Sequence, residues 1–170
     1  MLTLITGGCR SGKSAHAIAL ASAHPASRKF FIATAEGLDD EMRQRIAHHR
    51  RARPADFHAL EEPLRLGVAL ESLSASADVV VIDCITLWIS NLLNKLNDEA
   101  MLAEADALAN VLRRAPFSAI VVTDEVGWGI VPDNPEGRRF RDLLGWTNQK
   151  VARAADQVLL MAAGYPLRLK

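Results

Sequence analysis

Short apolar runs alternate along the chain with longer segments in which apolar residues recur three and four positions apart. Residues 2–6 (LTLIT), 29–34 (KFFIAT), 79–83 (VVVID), 118–123 (SAIVVT) and 157–161 (QVLLM) read as strands. The β-branched run at 79–83 predicts a strand buried on both faces. Residues 57–60 and 167–169 read as two further short strands. Helical spacing covers 13–24, 63–74, 86–96, 98–114 and 135–155. Pro63 suits the first position of its helix, and Asp98 suits a cap. The charged stretch 39–54 carries Met42 and Ile46 four apart, which predicts a helix with one buried stripe. Strand and helix alternate without repeats or low-complexity tracts. The pattern predicts one α/β domain over 1–170, with three layers and a mostly parallel sheet between helices on both faces. Connections are expected to be right-handed.

Composition narrows the partners. Hydrophobic residues make up 49% of the 170, enough for a packed core. Lys+Arg and Asp+Glu balance at 20 each, so no global charge argues for nucleic acid or an acidic membrane surface. Charged residues interrupt every window long enough to span a bilayer. The first apolar run is short and leads straight into a glycine-rich loop, so no secretory signal is expected. Cys9 and Cys84 make no disulfide framework and lack companion metal ligands. They read as reduced thiols in a cytoplasmic protein.

That loop carries the first clear chemistry. Gly7, Gly12, Lys13 and Ser14 in GGCRSGKS satisfy G-x-x-x-x-G-K-[ST], with a strand before and a helix after. Glycines let the backbone curl so that N–H groups point at phosphate oxygens. The following helix adds its positive end. Lys13 should reach the outer phosphates and Ser14 a Mg²⁺ ion. The fold expectation is therefore a P-loop NTPase type. Asp83, closing VVVID, is the candidate acidic partner for the metal, or else merely ends its strand. Asp124, closing SAIVVTD, is a second candidate at the same edge of the sheet.

His48 and His49 stand in RIAHHRRARP. A neutral imidazole in line with an α-phosphate can displace pyrophosphate, with Arg45, Arg50, Arg51 and Arg53 offsetting the charge. The same pattern also describes a solvated basic helix face with two incidental histidines. Composition and spacing alone favour that second reading.

Four blocks do more. ITGGCRSGKS, FIATAEGLDDEMRQRIAHHRRARP, VVVIDCITLWISNLL and VVTDEVGWGIVPDNPEGRRFRDLLGWTNQKVARAAD occur in order and span nearly the whole chain. They resemble the bifunctional adenosylcobinamide kinase / adenosylcobinamide-phosphate guanylyltransferase family of cobalamin biosynthesis. The resemblance implies two reactions. The first phosphorylates the aminopropanol hydroxyl of adenosylcobinamide with ATP or GTP. The second moves GMP from GTP, through a guanylylated histidine, to give adenosylcobinamide-GDP. It further implies a small-molecule corrinoid partner, no nucleic acid, no membrane span and a homo-oligomer, a trimer in the family pattern.

Carried over by position, the resemblance assigns Gly7, Gly8, Cys9, Arg10, Ser11, Gly12, Lys13 and Ser14 to the triphosphate. It assigns Ala33, Thr34 and Ala35 to nucleotide contact, and His49 to the nucleophile, with His48 the adjacent alternative. Arg50, Arg51, Ala52 and Arg53 lie beside the phosphates. Glu61 reads guanine, because a carboxylate accepts paired hydrogen bonds from N1–H and the N2 amino group; Glu62 is the neighbouring alternative. Ser14 and Asp83 serve Mg²⁺, and Asp83 the nucleotide.

Two positions depart from the family pattern. Cys9 replaces Ala in the loop, with little effect expected. Asp124 replaces Asn, and an ionised Asp cannot donate a hydrogen bond. In GWGIVPDNPEGRRF, Trp128 offers a flat surface for a corrinoid ring, or ordinary packing. Arg138, Arg139 and Arg141 meet a phosphate or solvate a helix face. The rival readings are a member that retains one activity and a P-loop nucleotide switch that forms no covalent adduct.

Overall fold

The computed structural model describes residues 1–170 except Ala26 and Leu38. Within one helix it leaves aside the side chains of Arg45, His48, His49 and Ala52. The elements run β1 (Leu2–Gly7), α1 (Lys13–Ala23), β2 (Lys29–Ala33), α2 (Asp40–Ala52), β3 (Phe57–Glu61), α3 (Leu66–Ser72), β4 (Val79–Asp83), α4 (Ile85–Leu92), α5 (Asp98–Arg114), β5 (Ser118–Val122), α6 (Pro135–Ala154), β6 (Gln157–Ala162) and β7 (Tyr165–Arg168).

The strands form one seven-stranded sheet in the order β3-β2-β4-β5-β1-β6-β7. Every neighbouring pair is parallel except β6–β7. The central strands are buried on both faces, which is why they read as unbroken apolar runs. Ile5, Phe31, Val79, Val81, Ile120 and Val122 meet α1 on one face. Ala17 and Ala21, four apart, keep α1 close to the sheet there. Leu4, Ile32, Val80, Ile82 and Val121 meet α3–α6 on the other face, around Trp88 and Leu143. Buried Trp88 is not left unpaired, since its Nε1 donates to the Leu64 carbonyl at 2.8 Å.

Several boundaries differ from the pattern reading, and α4 ends at Leu92, four residues short of the expected 96. Helix α3 starts at Leu66 rather than 63, because Glu62 Oε1 accepts from the Leu64 and Arg65 N–H groups at 3.0 and 2.8 Å. Pro63 lies in that turn rather than in the helix. Asn97, not Asp98, caps α5, accepting from Ala100 N–H at 2.9 Å. Strand β7 starts two residues earlier than expected, because Ala163 and Gly164 both take positive φ and turn the chain tightly. In α2, Met42 and Ile46 are half-buried, so the stripe is shallower than its spacing suggests.

This order inserts β5 between β1 and β4. The carboxyl ends of four neighbouring parallel strands thus share one edge. That edge carries the 7–14 loop, Ala33-Thr34-Ala35, Asp83 and Asp124, and in open α/β sheets such an edge is where ligands bind.

Candidate functional site

The phosphate loop is held in shape by its neighbours. Gly7 has φ +151°, and a Cβ there would fall 2.5 Å from the Met161 carbonyl oxygen. Gly12 has φ +97° and faces Gly164 across a gap that a Cβ would narrow to 3.3 Å. Glycine at both positions is therefore a steric requirement of packing the loop under the β6–β7 turn. Gly164 N–H donates to the Ser11 carbonyl at 3.0 Å, and Ser11 N–H to Gly8 at 3.3 Å. Gly8, Cys9 and Arg10 are exposed, Ser14 is half-buried, and Ser11 is buried.

Lys13 is only 8% exposed. Its Nζ donates to the Gly8 carbonyl at 2.7 Å and pairs with Asp124 Oδ1 at 2.7 Å. Asp124 thus accepts from Lys13. Asp83 is half-buried at the end of β4, in register with Val122. Its peptide bond to Cys84 is cis.

Thr34 is fully buried and all its polar groups are engaged within the protein. Its hydroxyl donates to the Cys84 carbonyl at 2.6 Å and accepts from Cys84 N–H at 2.9 Å. Its N–H donates to the Asp83 carbonyl, and its carbonyl accepts from Asn91 Nδ2 at 2.7 Å. Asn91 also donates to the Pro63 carbonyl at 3.0 Å. The Ala33 carbonyl accepts from Glu62 N–H at 2.9 Å. In the Ala33-Thr34-Ala35 segment, half-buried Ala35 is the residue whose backbone has none of these ties. Cys84, next to this knot, is buried; burial first, then the Asp83 charge, push its thiol up to about 12.

Glu61 and Glu62 separate by role. Glu62 is spent on the turn before α3. Glu61 is exposed at the end of β3 and accepts from Arg50 Nε at 2.8 Å and from Arg50 Nη2. Arg51 is exposed. The Arg53 guanidinium lies 4.4 Å from the Phe31 ring centre, and its Nε is buried without a partner among the described residues. Burial holds the Arg53 pKa below its ordinary value, against the raising pull of Glu61. His48, His49, Arg45 and Ala52 belong to α2 by position, but their side chains lie outside the described residues.

The three arginines of α6 hold two different connections: Arg139 the one between α4 and α5, and Arg138 and Arg141 the loop before α6. Arg139 donates to Asp98 and to the Leu93 and Leu96 carbonyls at 2.6–2.8 Å. Arg138 holds the Pro132 and Asp133 carbonyls, and Arg141 the Gly127 carbonyl at 3.1 Å. Glu125 N–H donates to Gly7 at 3.0 Å, tying the loop's start to the phosphate loop. The loop presents Trp128 at 73% exposure and Ile130 at 97%.

Sequence reasoning gave no role to Asn91, Thr86 or Asn148. The available signal was polar residues inside otherwise apolar helical stretches, as in TLWISNLL. Among the described residues no helix is long and apolar enough to cross a membrane.

The profile described as "Cobinamide kinase / cobinamide phosphate guanyltransferase" matches residues 3–169. The chain is 39% identical to the bifunctional adenosylcobalamin biosynthesis protein CobU of Salmonella typhimurium, over the full length of both. It is 41% identical to the corresponding CobP of Pseudomonas aeruginosa, over all of this chain and 98% of that one. Among solved structures it is similar to the RadB recombinase, with a TM-score of 0.51 and 17% identity over 94% of this chain and 73% of that one. That likeness speaks for the P-loop NTPase fold alone.

Proposed function

The chain belongs to the cobinamide kinase / cobinamide phosphate guanyltransferase family, and from that premise we propose how its residues divide two reactions on one corrinoid. It is a bifunctional enzyme: it phosphorylates the aminopropanol hydroxyl of adenosylcobinamide, then transfers GMP from GTP to that phosphate. The observation that carries the division is the meeting, at one sheet edge, of a phosphate loop with a half-buried carboxylate, and of Glu61 with the helix bearing His49.

In the kinase step the 7–14 loop cradles the phosphates of ATP or GTP and Lys13 offsets charge on the outer ones. The Ser14 hydroxyl and Asp83 carboxylate are hard oxygen donors, which suits Mg²⁺. An ion held by these two side chains would offset charge on the β- and γ-phosphates. The substrate hydroxyl oxygen then bonds to the γ-phosphorus while the bond from that phosphorus to the β–γ bridging oxygen breaks; the hydroxyl proton is lost and the nucleoside diphosphate leaves. In the transferase step a ring nitrogen of His49 bonds to the α-phosphorus of GTP while the bond to the bridging oxygen breaks, releasing pyrophosphate. The phosphate of the corrinoid then attacks that phosphorus and frees the histidine. Glu61 reads guanine by accepting from N1–H and N2–H, and must exchange its Arg50 contact to do so. Arg50, Arg51 and Arg53 lie beside the phosphates. Trp128, exposed on a loop tied to Gly7, offers a face for the corrinoid ring.

Exposed Tyr165, Leu167 and Leu169 support a homo-oligomer, with a trimer as the family pattern. Free Cys9 and Cys84 support a reducing, cytoplasmic setting.

The test follows the corrinoid. Adenosylcobinamide incubated with ATP and Mg²⁺ should gain one phosphate, and addition of GTP should then add one GMP. Phosphate without GMP would reduce the protein to a kinase; neither product would refute the reading.

A further inference from the structure

Lys13 is already occupied. Its ammonium is nearly buried and is surrounded by the Gly8 carbonyl at 2.7 Å, Asp124 Oδ1 at 2.7 Å and, at the outer limit of a hydrogen bond, Ser11 Oγ at 3.5 Å. The group meant for the outer phosphates is neutralised by a carboxylate of the same chain.

Asp124 has little room to withdraw. Its N–H donates to Thr86 Oγ1 at 2.7 Å, and its carbonyl accepts from Asn148 Nδ2 at 3.0 Å. Asn148 is itself fixed, because its Oδ1 accepts from Thr123 Oγ1 at 2.7 Å. On the next residue, Glu125 N–H donates to the Gly7 carbonyl. The backbone at 124 is therefore fastened to α4, α6 and the phosphate loop at once. Side-chain rotation alone moves the carboxylate, by no more than a few ångströms. A triphosphate that takes Lys13 from Asp124 leaves that negative charge beside its own. Asp83 ends the neighbouring strand at the same edge and adds a second carboxylate.

We propose that Asp124 makes triphosphate binding depend on an accompanying divalent cation. Its carboxylate, held beside Lys13, opposes a bare polyanion, whose charge is tolerated only when a cation arrives with it. The inference rests on the nucleotide-binding reading of 7–14 and goes beyond it, because it assigns the cation requirement to a residue outside the motif.

The test is equilibrium binding of a GTP analogue with a methylene bridge between its α- and β-phosphates, which His49 cannot cleave. Wild type, Asp124→Asn and Asp124→Ala are compared in EDTA and in Mg²⁺, after thermal melting shows each to be folded. Both variants should bind the metal-free analogue about tenfold tighter than wild type, and should gain less from Mg²⁺. Unchanged or weaker metal-free binding by both variants would overturn the proposal. Tightening by Asn alone would overturn it too, since a new amide donor rather than a removed charge would then be the cause. Wild type failing to bind the analogue even with Mg²⁺ would refute the nucleotide-binding reading itself, and this inference with it.

Discussion

Arg50, in the last turn of α2, donates through Nε to Glu61 at the end of β3, at 2.8 Å. The contact joins the helix that contains His49 to the residue proposed to read guanine. Both side chains are about half exposed, so this pair adds little to stability. Its meaning is functional, because guanine must compete with Arg50 for the same carboxylate. Glu61→Gln should therefore damage GTP use and spare ATP use. We expect guanylyl transfer to fall about a hundredfold while phosphorylation with ATP stays within about twofold, since an adenine never used that acceptor pair. Steady-state rates with each nucleotide check it; equal loss of both would assign Glu61 a structural role.

Gly7→Ala tests the packing of the phosphate loop. The added methyl meets the Met161 carbonyl at 2.5 Å and forces an alanine to φ +151°. We expect a loss of about 1–3 kcal/mol in stability together with loss of nucleotide binding. Gly145→Ala is the control, because it lies inside α6 with nothing within 4 Å of the new methyl. It should stabilise by about 0.4–1 kcal/mol. Denaturant melts of both variants decide.

Asn91 links the end of β2 to the turn after β3 by donating to the carbonyls of Thr34 and Pro63. Asn91→Ala leaves the carbonyls of buried Thr34 and half-buried Pro63 without this donor. The expected cost is about 2 kcal/mol, or roughly 4–8 °C in Tm for a chain of this size. Asn91→Asp should fare no better, since its carboxylate turns an acceptor toward two acceptors. Calorimetry of the two variants checks this, and an Asp variant as stable as wild type would contradict it.

Cys84 gives a pH prediction. Burial raises its thiol from its ordinary 9.0 to about 12. Between those values the unfolded chain has lost the proton and the folded chain has kept it. Stability therefore falls as pH rises through this window, by an amount on the order of 1.4 kcal/mol per unit at most. Cys84→Ala should remove that part of the alkaline slope, as measured by denaturant midpoints from pH 8 upward. At neutral pH, thiol reagents should label exposed Cys9 and leave Cys84 untouched.

Much of this fold is visible in the chain because the central strands are buried on both sides. VVVID and SAIVV leave no other reading once their lengths are considered. The phosphate loop is legible because its spacing is a backbone requirement. Boundaries failed where a side chain outcompeted the expected one: Glu62 closes the turn that Pro63 seemed to begin, and Asn97 takes the capping place of Asp98. The pairing of Lys13 with Asp124 was not legible, since it joins residues far apart in sequence across two strands. Arg138, Arg139 and Arg141 read in sequence as phosphate ligands or as a solvated helix face, yet they hold backbone carbonyls and Asp98. A cluster of arginines does not reveal whether its acceptors lie inside the protein or on a substrate.

The central claim is a covalent guanylyl-histidine, and intact-protein mass after incubation with GTP and Mg²⁺ tests it most directly. Wild type and His48→Ala should each gain one acid-labile GMP, and His49→Ala should gain none. An adduct on His49→Ala, or none on wild type, would contradict the account.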